Sequence, residues 1–134
     1  MGTIVVGYVP KPEGRAALQR AAEEANLRDM QLIVVNSHRG GRGFDESDAV
    51  ESEAQLEEID SLLGDAGVEY EVRQLVRGLD PAEDLNNVAT ETDAELIVIG
   101  LRRRSAVGKL ILGSNAQRIL LDASCPVLAV KAAE

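Results

Sequence analysis

Three stretches of the chain carry unbroken runs of Val, Ile and Leu: "TIVVGYV" at residues 3–9, "QLIVVNS" at 31–37 and "AELIVIG" at 94–100. A strand with one wet face alternates apolar with polar residues. A strand that does not alternate has to be covered on both faces, which is the habit of parallel sheets packed between helices. Segments of helical periodicity lie between the runs. Residues 12–27 carry Leu18, Ala21, Ala22 and Ala25 on one face. Residues 48–67 read as an acidic helix with Leu56, Ile59 and Leu63 on one stripe, ending near Gly64 or Gly67. A third helix starts at Asp80-Pro81-Ala82-Glu83, with Asp80 to cap, Pro81 at the first helical position and Glu83 to complete the box. Its apolar stripe is Leu85, Val88 and Ala89. Ala116, Ile119, Leu120 and Ala123 mark a fourth. "EYEVRQLV" (69–76) is half polar and reads as a strand near a sheet edge, and "CPVLAVK" (125–131) as the last strand. This alternation predicts an α/β fold: a doubly wound, five-stranded parallel sheet in one domain over residues 1–134, with Val5, Val34, Val98 and Val127 buried.

The core of such a sheet is aliphatic here, because the 134 residues hold one Phe, two Tyr and no Trp. Single-stranded nucleic acid needs aromatic platforms, and a net charge of -9 opposes nucleic acid and anionic membranes alike. No apolar run reaches the ~18 residues of a membrane span, and no basic segment precedes a long apolar one at the start. A cytoplasmic protein with neither membrane nor nucleic-acid partner is expected. The single Cys125 allows no internal disulfide and reads as a buried structural thiol. His38 is the one histidine, in the glycine-rich stretch "HRGGRGFDES" (38–47), which reads as a loop. With no second His or Cys beside it, and with carboxylates at 45–53 that fit no calcium loop, no metal site is expected. No nucleophile stands out with a base, so no catalytic residue is assigned.

Ligands of open parallel sheets bind beyond the carboxyl ends of the strands, where the strand order reverses. One such end opens "GLRRRSAVGKLILGSN" (100–115), which sets three arginines and a lysine between Gly100 and Gly113-Ser114. Gly100 ends a strand and lets backbone approach a ligand closely. Gly113-Ser114 opens a helix whose free N–H groups favour an anion, with the Ser114 hydroxyl and the Asn115 amide as further donors. The plain structural reading is that Gly100 turns the chain, Ser114 caps the helix and the arginines are solvated. "RRSAVGKL" (103–110) only looks like a Walker loop. Arg103 stands where the first Gly belongs, and Leu110 where the magnesium-binding hydroxyl belongs.

Two long stretches, "TIVVGYVPKPEGRAALQRAAEEA" and "DAELIVIGLRRRSAVGKLILGSNAQRILLDASCPVLAVK", resemble the opening and closing regions of the universal stress protein family, and the resemblance covers essentially the whole chain. The spacing Gly, two residues, Gly, nine residues, Gly-Ser/Thr marks that family's ATP-binding members. Here it reads Gly100, Arg103, Gly113-Ser114. The resemblance implies a Rossmann-like sheet of the adenine-nucleotide α-hydrolase type, with strand order 3-2-1-4-5. It also implies a homodimer through the last strand, with Val127, Leu128 and Val130 at the interface, and an adenine nucleotide, ATP or AMP, between the first and fourth strands. Carried onto this chain, the nucleotide site comprises Gly7, Tyr8, Val9 and Lys11, then Ser37, then Gly100, Arg103, Gly113, Ser114 and Asn115.

Two positions depart from the family pattern. Arg103 replaces the middle Gly. Val9 and Lys11 stand where the family usually has the Asp and Ser of a V-D-x-S turn. The site so loses an acidic nucleoside contact and a hydroxyl, and gains positive charge. The expected function is a homodimeric stress-response regulator that binds ATP or AMP weakly, with Arg103 on the phosphate. In the alternative, an arginine fills the site and the chain is a dimeric scaffold that binds no nucleotide. A slow ATPase is a third reading, weakened by the missing Asp.

Overall fold

Successive side chains of a strand point to opposite faces, so a strand apolar throughout needs a helical layer on each side. The computed structural model, which describes residues 2–39, 46–77, 80–101 and 113–132, has both layers. Strands β1 (Thr3–Gly7), β2 (Gln31–Arg39), β3 (Tyr70–Arg77), β4 (Leu96–Leu101) and β5 (Val127–Lys131) alternate with helices α1 (Pro12–Arg28), α2 (Glu46–Ala66), α3 (Pro81–Glu91) and α4 (Ser114–Asp122). Every strand pair is parallel and the order is β3-β2-β1-β4-β5. The chain therefore winds outward from β1 to one edge, then returns to lay β4 on the other side of β1. The order reverses between β1 and β4.

The two faces carry separate apolar layers. On one, Ile4, Val6, Leu32, Val34 and Val98 pack on Leu18 and Ala21 of α1 and on Ile59 and Leu63 of α2. On the other, Val5, Ile33, Val35, Ile97 and Ile99 pack on Leu85 and Val88 of α3 and on Ile119 of α4. Val5, Val34 and Val98 are fully buried. Val127 is only half-buried, because β5 is an edge strand.

Other expectations shift with the pairing. Strand β2 continues to Arg39, since its ladder with β3 runs on through His38↔Val76 and Arg39↔Arg77. His38 thus belongs to a strand and not to the loop its glycine neighbours suggested. Helix α2 runs through Gly64 and stops at Ala66, where Gly67 takes a φ of +71° that other residues adopt only with strain. Leu120 is exposed, because Ala116 and Ile119 are the α4 residues that meet the second layer. Cys125 is half-buried rather than enclosed, lying just ahead of the edge strand, and its partial burial pushes the thiol pKa up.

Candidate functional site

A cavity of about 460 Å³ opens at the carboxyl ends of β1 and β4, where the strand order reverses. The strand ends contribute Gly7, Val35, Ile99 and Gly100. Three helix starts surround them: Lys11, Glu13 and Gly14 of α1, Pro81 and Ala82 of α3, and Asn115 and Ala116 of α4. The first N–H groups of a helix lack intrahelical partners, so each start presents donors and a partial positive charge. At α3 that potential is met from within: Asp80 accepts from the Ala82 N–H at 3.1 Å and also pairs with Arg118 of α4. At α4 the N-cap position is held by Gly113, which has no side chain to bond the helix start. Ser114 is then the first helical residue rather than the cap. The α1 start, N-capped by Lys11, likewise has no side-chain cap.

Two glycines hold this arrangement together. A Cβ on Gly100 would collide with the Glu13 carbonyl oxygen, and one on Gly14 with the carbonyl oxygen of Val9. The first turn of α1 can settle against the ends of β1 and β4 only because both side chains are missing. Gly100 sits within β4, so its role in the described structure is close packing and not the turning of the chain. Sequence reasoning passed over Glu13 and Gly14. A signal was present: Gly in the first turn of an otherwise Ala-rich helix costs about 1 kcal/mol relative to Ala, so something else must require it there.

Tyr8 is among the residues lining the cavity, and its main-chain N–H donates to the Val35 carbonyl at 3.0 Å. Its side chain turns to the opposite face, into the layer shared with α1 and α2. There the hydroxyl donates to Glu58 Oε1 at 2.5 Å, and Arg15 Nε donates to the same oxygen at 2.9 Å. Burial and the Glu58 hydrogen bond push the Tyr8 pKa well above the usual phenol range. The Tyr8 hydrogen bond, aided by Arg15, holds the Glu58 carboxyl below its ordinary value. This cluster bolts α2 to the end of β1 and the start of α1, directly behind the cavity.

Of the residues expected at a nucleotide site, Gly7, Tyr8, Val9, Lys11, Gly100 and Asn115 all line this one cavity. Val9 is 43% exposed there and offers no polar group from its side chain. Gly113 and Ser114 are exposed and immediately precede Asn115. Ser37 stands in β2 opposite Leu75, two residues beyond Val35. Arg103, with the rest of 102–112, lies outside the described residues. Among the described residues no group of three His, Cys, Asp or Glu could hold a metal ion, and no helix is long and apolar enough to cross a membrane.

Comparison with known proteins agrees with this picture. The profile of the Universal stress protein family matches residues 1–131. A universal stress protein of Mycolicibacterium smegmatis is 48% identical over 128 residues, covering 96% of each chain. The structure of a universal stress protein from Archaeoglobus fulgidus superimposes with a TM-score of 0.85 at 40% identity, over 98% of this chain and 99% of that one. Another structure described as the universal stress protein from that organism, in complex with dAMP, gives 0.80 at 35% identity, over 98% of each chain. With sequence, strand order and structural neighbours in accord, the chain belongs to the universal stress protein family.

Proposed function

We propose that the chain binds an adenine nucleotide, ATP or AMP, in the cavity between β1 and β4, and acts as a homodimeric regulator in a stress response. The observation that carries this reading is the convergence of the strand ends and the α1 and α4 starts on one cavity. Its volume of about 460 Å³ falls within the ~300–1,000 Å³ usual for small-molecule sites. The dAMP complex of the 35% identical relative supports the same class of ligand. Phosphate is assigned to the glycine-capped start of α4, at Gly113, Ser114 and Asn115, with Arg103 as its clamp. Gly7 and the main chain of Tyr8 and Val9 face the nucleoside. The apolar Val9 keeps binding weak, with a dissociation constant of about 0.1–1 mM, or roughly -4 to -5.5 kcal/mol.

The homodimer is assigned to β5, whose outer edge has no strand beside it among the described residues. Val127, Leu128 and Val130 are half-buried there, and an uncovered apolar edge recruits a second strand. One observation favours the scaffold reading instead, namely that Val9 leaves the end of β1 without an acidic side chain. Calorimetric titration with ATP, AMP and cyclic AMP separates the two. Saturable binding of ATP or AMP below 1 mM supports the regulator, and no heat with any of the three at 5 mM leaves the scaffold, both limits being on the order of weak-site affinities.

A further inference from the structure

We propose that Glu13 reads the sugar: its carboxylate accepts hydrogen bonds from the ribose hydroxyls, so the site prefers ribonucleotides to deoxyribonucleotides. This rests on the nucleotide reading above. The cavity is lined by few polar side chains, since the Tyr8 hydroxyl is committed to Glu58 on the other face of the sheet. Lys11, Glu13 and Asn115 remain among the described lining residues, and Glu13 is the carboxylate of that set. It is half-buried, and its stem is fixed by packing of its own main chain over Gly100. Its neighbour Arg15 is engaged by Glu58, and no hydrogen bond or ion pair occupies the Glu13 carboxylate among the described residues.

An ionised carboxylate only accepts hydrogen bonds, and it repels a phosphate brought against it. An adenine nucleotide has donors in two places, the ribose hydroxyls and the adenine amino group. Glu13 lies two residues from Lys11, the cation of the same helix start. Phosphate drawn toward Lys11 and the start of α4 brings the group bonded to it, the ribose, against Glu13. The adenine amino group, at the far end of the ligand, falls beyond its reach.

The test is calorimetric titration of the wild-type protein and of Glu13→Ala with AMP, 2′-deoxy-AMP and 3′-deoxy-AMP. Ala retains the helix start and the Cβ that packs on Gly100. The wild type is expected to bind AMP at least about 10-fold more tightly than one of the deoxy forms, the usual size of a hydrogen bond to a charged group. Glu13→Ala is expected to bind all three within about 2-fold of one another while keeping the wild-type affinity for the weaker deoxy form. Equal binding of all three by the wild type overturns this inference and leaves nucleotide binding standing. A preference for AMP that survives in Glu13→Ala does the same. A wild-type protein that binds none of the three overturns both.

Discussion

Replacing Tyr8 by Phe removes one oxygen and nothing else from a side chain that is 2% exposed. The lost bond is the 2.5 Å donation to Glu58 Oε1. Hydrogen bonds to charged groups contribute about 1.5–3 kcal/mol net. The Glu58 side chain is 32% exposed and keeps Arg15, so the cost falls at or below the lower end, about 1–1.5 kcal/mol. A chain of 134 residues unfolds with an entropy of about 0.28 kcal/mol/K, so Tm drops by about 4–5 °C. The loss also depends on pH. Glu58 has its folded pKa depressed, chiefly by the Tyr8 bond, so its contribution is present above the unfolded carboxyl pKa and is lost as pH falls through the folded one. The gap between wild type and Tyr8→Phe is therefore full at pH 7 and narrows below about pH 4.3, the ordinary Glu value. Scanning calorimetry across that range reads both effects. Because the hydroxyl faces away from the cavity, AMP affinity is unchanged in the variant. A Tm within 1 °C of wild type at pH 7, on the order of the scan error, or a gap constant with pH, refutes the reasoning about this cluster.

Gly100→Ala places a Cβ against the Glu13 carbonyl, so the first turn of α1 has to lift. The expected cost is about 3 kcal/mol, seen as a Tm about 10 °C lower, together with weaker AMP binding. A variant that melts and binds like the wild type contradicts the close packing of α1 on β4. Leu128→Asp and Val130→Asp each put a carboxylate on the half-buried edge strand and are expected to give monomers in sedimentation velocity at micromolar concentration. A dimer untouched by both moves the interface away from β5.

How much of this was legible in the sequence follows from how local each feature is. The runs at Val5, Val34 and Val98 announced a sheet covered on both faces because burial there is a property of the strand itself. Asp80 and Pro81 announced the α3 start for the same reason, and Asp80 does bond the Ala82 N–H. The edge position of β3 could be read from its polar residues. Alternation says only that Gly7 and Tyr8 face opposite sides. Which side holds the cavity depends on α2, whose Glu58 meets Tyr8 from 50 residues away. Likewise the close approach of Gly100 to Glu13 joins two segments that no local pattern connects. Ser114 looked like a cap by residue type, yet Gly113 takes that place because the helix begins one residue earlier, at Ser114 itself. Cys125 and Leu120 looked buried by hydrophobicity, but one sits beside an edge strand and the other on the outer side of α4.

The central claim is that nucleotide enters at the reversal of strand order. Titrating AMP into ¹⁵N-labelled protein and following the amide resonances tests it residue by residue. The account predicts shifts that saturate together at Gly7, Val9, Gly100, Asn115 and Ala116, with the amides around Arg73 and Glu91, which line a separate groove between β3 and α3, left in place. Shifts centred on that second groove, or none at any residue at about 5 mM AMP, a concentration that would fill even a weak site, would contradict it.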